Sequence, residues 1–86
     1  METGNKLFNL TILNSQKLVY EGKVLSLIAP SESGYLGILS GHAPLVTIVK
    51  KGKITIKKGS LETQVIDCQG KGFLEVLNNN VTLLLQ

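Results

Sequence analysis

The chain has 86 residues, of which nine are lysine, none is arginine and six are acidic, so its formal net charge is +3. A chain of this length can bury one core of its own, and a hydrophobic content of 43% favours a folded chain over a disordered one. The single cysteine, Cys68, excludes an internal disulfide and a cysteine-based zinc site, and no apolar run reaches the ~18 residues that a membrane-spanning helix needs. We therefore expect one domain over residues 1–86.

Apolar and polar residues alternate along much of the chain, which predicts β-strands with one solvated face. The pattern begins in residues 7–13, where Phe8, Leu10 and Ile12 would share one face. Residues 25–30 have the sequence LSLIAP, a nearly continuous apolar run that indicates a strand covered on both faces. Alternation also predicts strands at residues 53–57, 73–77 and 80–85. No stretch has the three- and four-residue apolar spacing of a helix, so we expect an all-β chain.

Glycine and asparagine separate the predicted strands at short intervals. Lys51-Gly52 and Lys58-Gly59-Ser60 each lie between two strands, and Asn78-Asn79-Asn80 lies between the last two. Asparagine tolerates the left-handed backbone conformations that tight hairpins require. The regular spacing predicts eight to ten short strands, arranged as an antiparallel sandwich or a flattened barrel.

Some of the predicted strands have apolar residues on both sides of the pleat, as in VTLLL at residues 81–85. Only one side of each sheet can face the core of a two-layer domain, so the other apolar side must face solvent or a partner. Because a sizeable exposed apolar patch on a small protein is typical of an interaction site, we expect this chain to dock onto another polypeptide.

The segment GYLGILSGHAPL, residues 34–45, contains three glycines, one proline and the only histidine of the chain, His42. Histidine is a common general base, but a base needs a nucleophile and an orienting acid. Nothing in the pattern brings Ser40, Glu32 or Asp67 to His42, and Gly-His-Ala-Pro is not the Gly-x-Ser-x-Gly of a nucleophile elbow. The pattern therefore favours a histidine that is bonded at a turn or lies in an interface over a catalytic one.

The glycines of this segment have a structural interpretation. We expect Gly34, Gly37 and Gly41 to occupy positions with positive φ or with a close approach of strands. Pro44 would fix the bend after His42 and begin a new strand.

Five of the nine lysines fall within nine residues: Lys50, Lys51, Lys53, Lys57 and Lys58. One interpretation is a patch for phosphate or another anion, and it leads to an alternative function, a small nucleic-acid- or anion-binding β-barrel. The other is the solvated face of a hairpin, on which lysines discourage edge-to-edge pairing. The absence of arginine and of interleaved aromatic residues favours the solvated face.

GYLGILSGHAPL resembles the signature of the epsilon-subunit family of bacterial and chloroplast F-type ATP synthases, which typically has Gly-x-Leu-Gly-Ile-x-Pro-Gly-His-Ala-Pro-Leu. The chain departs from it at Ser40, where the family usually has proline, and this departure predicts a less rigid corner. Two further parts of the chain are similar to the family's first sheet and last hairpin: residues 19–24 with 29–34, and residues 72–76 with 81–84. The resemblance covers residues 7–86.

The resemblance implies a ten-stranded, flattened β-sandwich in the central stalk of the synthase, beside the gamma subunit and on the ring of membrane c subunits. One sheet face would pack on gamma, and one end would meet the polar loops of the c-ring. It implies no catalytic residue, cofactor or metal, no nucleic acid, and contact with the membrane only through the complex. The location would be the cytoplasmic face of the bacterial inner membrane, or the stromal side of the thylakoid membrane in a chloroplast.

The resemblance also implies that Glu32, Ser33, Tyr35 and His42 together face the ring. Typical members of the family continue into a two-helix hairpin that inhibits ATP hydrolysis and, in some members, binds ATP. This sequence ends at Gln86, directly after the last predicted strand, so we carry over neither property.

Overall fold

The computed structural model describes residues 6–86, in which nine β-strands and no helix occur. The strands are β1 (Phe8–Leu13), β2 (Leu18–Val24), β3 (Ser26–Ser31), β4 (Gly34–Leu39), β5 (Leu45–Val49), β6 (Gly52–Gly59), β7 (Glu62–Cys68), β8 (Gly72–Leu77) and β9 (Asn80–Leu85). The predicted all-β sandwich is confirmed, with nine strands among the described residues where the resemblance implies ten.

The strands form one hydrogen-bonded path in the order β2-β1-β9-β8-β5-β3-β6-β7, and β4 pairs with the other edge of β3. A single residue pair, Ser31 with Val49, joins β3 to β5, and the sheet curls there into two halves. The strands β2, β1, β9, β8 and β5 are called the β1 half, and β4, β3, β6 and β7 the β6 half. The pairing of β1 with β9 is parallel, unlike the others. Side-chain alternation identifies a strand but not its direction, so the sequence pattern did not predict this pair.

The core lies between the two halves. Nine of the residues that alternation predicts on the inner faces of β1, β6, β8 and β9 are at most 2% exposed: Phe8, Leu10, Ile12, Ile54, Ile56, Leu74, Val76, Val81 and Leu83. Leu85, at the end of β9, is only partly buried and packs against this core. The prediction for LSLIAP is wrong in one respect. Ile28 is 42% exposed between buried Leu27 and Ala29, whereas Pro30, on the same side of β3 as Ile28, is buried. The outer face of β3 is therefore open at Ile28 and covered at Pro30. Its outward isoleucine made the apolar run look continuous.

The turn between β8 and β9 confirms the prediction for the asparagines. Asn78 and Asn79 have φ of 50° and 61°, the left-handed values that a two-residue type I′ turn requires at both of its central positions. The turn between β6 and β7 lies at Ser60 and Leu61, slightly later than predicted, because β6 continues through an irregularity to Gly59.

The strand registers divide the loops between two ends of the sandwich. The Asn79 end carries the β8–β9 turn, the β4–β5 connection (residues 40–44) and the β6–β7 turn (60–61). The Glu32 end carries the β3–β4 turn (32–33), the β1–β2 turn (14–17) and the connections at residues 50–51 and 69–71. Ser31 pairs with Val49, and Val49 with Gly72, which fixes the members of the Glu32 end.

Candidate interaction surfaces

The β3–β4 hairpin presents an exposed tip at the Glu32 end. Glu32, Ser33 and Tyr35 are all exposed, and Tyr35 retains 68% of its accessible surface. The Ser31 hydroxyl donates to the Gly34 carbonyl at 2.7 Å, which closes the tip with a side-chain hydrogen bond. Gly34 has φ of 116°, a value that L side chains rarely adopt. The tip is therefore a compact turn that projects polar and aromatic groups into solvent.

A second corner, residues 40–42, lies at the Asn79 end. The Oδ1 atom of Asn79 accepts a hydrogen bond from the Gly41 amide at 2.7 Å, and Nδ2 of Asn79 donates to the Ser40 hydroxyl at 3.3 Å. Within the corner, the amide of His42 donates to the Leu39 carbonyl at 3.2 Å. The Nδ1 atom of His42 lies 2.7 Å from the Ala43 carbonyl, so in this contact Nδ1 is the protonated nitrogen. His42 is thus bonded at a turn, with its ring only partly buried.

The structure does not bring the four predicted ring-facing residues together. Glu32, Ser33 and Tyr35 lie at one end of β4, whereas His42 follows the other end. At roughly 3.3 Å per residue, the six residues of β4 separate the two groups by about 16 Å. The GYLGIL part of the motif is a strand, and only its flanks are corners.

The turn residues of this segment divide in the same way. Gly34 and Gly41 have φ of 116° and 82°, whereas Gly37 lies inside β4 without a positive φ. A Cβ at Gly37 would meet no other atom within 4 Å, so no close approach requires a glycine there. Pro44 directly precedes β5, which begins at Leu45.

The five clustered lysines do not form one patch. Lys50 and Lys51 lie at the Glu32 end, whereas Lys57 and Lys58 lie at the other end of β6. Lys53 forms an exposed ion pair with Asp67 at 3.4 Å, and the ammonium of Lys58 lies 5.1 Å from the centre of the Tyr20 ring. Their sequence proximity therefore does not produce a focused anion site, and the alternative function loses its main support.

An apolar row crosses the outer face of the β1 half. The outer apolar row consists of Leu13, Leu84, Phe73 and Ile48, which are consecutive cross-strand partners on β1, β9, β8 and β5. Phe73 is 51% exposed and Leu84 46% exposed, and the other two are half-buried. Since neighbouring strands lie ~4.8 Å apart, the row extends over about 14 Å. The alternation in residues 73–77 and 80–85 already indicates an exposed apolar surface, because Phe73 and Leu84 are apolar at outward positions.

The outer face of the β6 half is more polar. Ile28, Thr55 and Val65 form one cross-strand row, and the rows on either side contain Lys53 with Asp67 and Lys57 with Thr63. The exposed apolar side chains of this face are thus interrupted by charged and hydroxyl groups within each row. On the outer face of the β1 half, the outer apolar row itself is uninterrupted, and the polar groups Glu75 and Thr82 lie in the adjacent row.

An open depression of about 420 Å³ lies near the Asn79 end, and His42 is not among the residues that line it: Lys6, Leu25, Ser26, Leu39, Ser40 and Lys57. Within residues 6–86, no group of three or more His, Cys, Asp or Glu side chains is arranged to hold a metal ion. No helix in this part of the chain is long and apolar enough to cross a membrane.

The fold defines the chain as a small β-sandwich domain. Its sequence matches the family described as "ATP synthase, Delta/Epsilon chain, beta-sandwich domain" over residues 7–86. The chain belongs to this family and corresponds to the β-sandwich domain of ATP synthase epsilon chains.

Two relatives illustrate the match. The chain is 37% identical to the ATP synthase epsilon chain of Chlorobium limicola over 86 residues, which cover 100% of this chain and 97% of that relative. It is 38% identical over 82 residues to the epsilon chain of Leptospira interrogans serogroup Icterohaemorrhagiae, covering 95% of this chain and 62% of that one. The chain thus spans less than two thirds of the length of the Leptospira relative.

Solved structures agree with the fold. A chain of the Euglena gracilis mitochondrial ATP synthase, in a cryo-EM structure of OSCP, F1 and c-ring, superposes with a TM-score of 0.85 at 18% identity, covering 98% of this chain and 54% of that one. A chain from the central stalk and c-ring of the Tetrahymena thermophila mitochondrial ATP synthase gives a TM-score of 0.78 at 13% identity. The match covers 98% of this chain and 66% of that one. At these identities the likeness establishes the fold alone.

Proposed function

We propose that the chain is a rotor subunit in the central stalk of a proton-transporting F-type ATP synthase, where it links the gamma subunit to the c-ring. The observation that carries the proposal is the outer apolar row, a continuous exposed stripe on a domain whose family is known. In this role the chain is a peripheral protein on the cytoplasmic face of a bacterial inner membrane, or on the stromal side of a thylakoid membrane.

The gamma subunit binds the outer face of the β1 half. Four neighbouring strands present apolar side chains there in one row that contains no charge, and Glu75 lies in the adjacent row. The burial of such a stripe supplies a large part of the binding free energy in interfaces. The β6 half is the weaker candidate because its outer face alternates apolar groups with Lys53, Lys57 and Asp67. Desolvation of these charges would oppose docking.

The Glu32 end meets the c-ring. Three of the four residues that the resemblance assigns to this contact, Glu32, Ser33 and Tyr35, share the β3–β4 tip. Polar loops suit a polar tip of this kind. His42 lies about 16 Å away, at the Asn79 end, and belongs to a different contact.

The chain contributes stiffness rather than chemistry to the proposed rotor. The two halves share one apolar core, so no single hinge separates a gamma-binding face from a ring-binding end. Close-packed cores transmit strain, and a rigid sandwich can hold gamma in register on the ring while the ring turns.

We expect the isolated chain to bind gamma and to hydrolyse no ATP above background. Binding should be measured by co-purification and calorimetry with purified gamma, and hydrolysis by phosphate release from the chain alone. Failure to bind gamma in both assays, or a phosphate release that scales with the concentration of the chain, would refute the proposal.

Replacing Glu32 by alanine should weaken the association of a gamma complex of this chain with the c-ring by about two- to fivefold, the usual scale for one exposed polar contact. The fold should remain intact, because Glu32 is exposed at a turn. The matched control is Glu62→Ala, an exposed glutamate at the Asn79 end, which should leave ring association unchanged. Equal losses in both variants, measured by sedimentation of detergent-solubilised ring, would show that the ring does not bind at the Glu32 end.

A further inference from the structure

The side chain of Asn79 joins two connections that are far apart in sequence. Its Oδ1 atom accepts from the Gly41 amide at 2.7 Å, and its Nδ2 atom donates to the Ser40 hydroxyl at 3.3 Å. The two partners lie 38 and 39 residues before Asn79 along the chain. Among the residues that the structure describes, these are the hydrogen bonds that hold residues 40–42 to a different strand pair, because the amide and ring bonds of His42 stay within the β4–β5 connection.

We propose that Asn79 is a positioning residue, whose side chain fixes the corner at residues 40–42 so that His42 meets gamma in a preformed arrangement. The inference rests on the proposed function only for the identity of the partner. The structural part, that the Asn79 side chain orders the corner, stands on the two hydrogen bonds.

The corner adjoins the face that is proposed to bind gamma. It leads directly into β5, whose Val46 is 72% exposed and whose Ile48 belongs to the outer apolar row. On the other side, Leu77 precedes the Asn78–Asn79 turn and is 49% exposed. The corner therefore lies on the same side of the sandwich as the outer apolar row but at the opposite end, beyond the row that pairs Val46 with Glu75. A partner that covers the outer apolar row contacts the corner only if it also extends along β5 across Val46.

The role of Asn79 differs from that of Asn78, although both have positive φ. The carbonyl of Asn78 accepts from the Asn80 side chain at 3.2 Å, within the turn itself. Only Asn79 directs its side chain to the corner. Gly41, with φ of 82°, is itself a flexible position, and an amide bonded to Asn79 limits that freedom before the partner arrives. Ordering a loop in advance removes part of the entropy cost of binding.

Glycine substitutions separate the effect of the Asn79 side chain from the effect of the turn conformation. Glycine adopts positive φ without strain, so Asn79→Gly removes the two hydrogen bonds while it keeps the type I′ turn, and Asn78→Gly is the matched control. Amide hydrogen exchange by NMR should show the Gly41 amide exchanging about tenfold faster in Asn79→Gly and unchanged in Asn78→Gly. Asn79→Asp should restore protection, because its carboxylate retains the acceptor and aspartate also tolerates this conformation.

Binding to gamma gives the second measurement. Asn79→Gly should weaken gamma binding about three- to tenfold, and Asn78→Gly should leave it unchanged. His42→Ala should reduce the affinity for gamma by a smaller factor in the Asn79→Gly chain than in the unaltered chain. Unchanged Gly41 exchange in Asn79→Gly overturns the positioning role itself. Faster exchange with unaltered gamma affinity overturns the link to docking, whereas an unaltered chain that fails to bind gamma refutes the proposed function and leaves the exchange result standing.

Discussion

Replacing Leu84 by glutamate is expected to reduce the affinity for gamma roughly thirtyfold or more, with little change in the stability of the free chain. Leu84 lies between Leu13 and Phe73 in the outer apolar row and is 46% exposed. A carboxylate in the middle of the row would be buried without a partner on docking, and central apolar positions dominate interface energetics. Calorimetry with purified gamma measures the loss, and thermal unfolding of the chain alone checks the fold.

The control for this variant is Val65→Glu. Val65 is 52% exposed on the outer face of the β6 half, so the substitution adds the same charge at a similarly exposed strand position. Gamma affinity should change less than about twofold, which is the scale of a surface substitution outside an interface. If Val65→Glu abolishes binding and Leu84→Glu does not, gamma binds the β6 half and our choice of face is wrong.

Replacing Gly72 by alanine should lower the free energy of unfolding by about 1–3 kcal/mol, the usual cost of overpacking. A Cβ at Gly72 would lie 2.8 Å from the carbonyl oxygen of Leu84 and 3.1 Å from a methyl group of Leu85. The carbonyl is backbone, so relief requires β8 and β9 to move apart where Gly72 pairs with Leu85. The lower entropy of an unfolded chain with alanine would offset only about 0.4–1 kcal/mol.

Gly37→Ala is the matched substitution. It also lies in a strand, but an added Cβ would contact nothing within 4 Å, so its stability should be unchanged or slightly higher. Urea unfolding of both variants, with a common m-value, measures the difference. Equal midpoints for Gly72→Ala and the unaltered chain would contradict the prediction. They would show that β8 and β9 move apart to accommodate a Cβ at Gly72 without a measurable loss of stability.

The sequence predicts the strand faces because burial follows a simple period. Leu10 and Ile12 in β1, or Leu74 and Val76 in β8, are separated by one outward residue, which is the period of a strand with one buried face. The turn at Asn78 and Asn79 was also predictable, since few residue types accept positive φ.

The interaction surfaces were less accessible to prediction. The resemblance places Glu32 and His42 at one contact with the ring, although the apolar residues between them alternate with exposed positions as a strand requires. Recognising that strand would have separated Glu32 from His42. Two other features depend on which strands become neighbours, a property that local pattern does not encode: the alignment of Phe73 with Leu84 and Ile48, and the reach of Asn79 to Gly41.

The parallel pairing of β1 with β9 has a consequence for the order of folding. β1 must wait for β9 before it gains its second neighbour, so the sheet stays incomplete until β9 has been synthesised and has left the ribosome. Contacts between residues so distant in sequence slow folding, and an incomplete sheet exposes unpaired edges. Nascent chains that stall before β9 emerges should consequently be prone to aggregation and depend on chaperones.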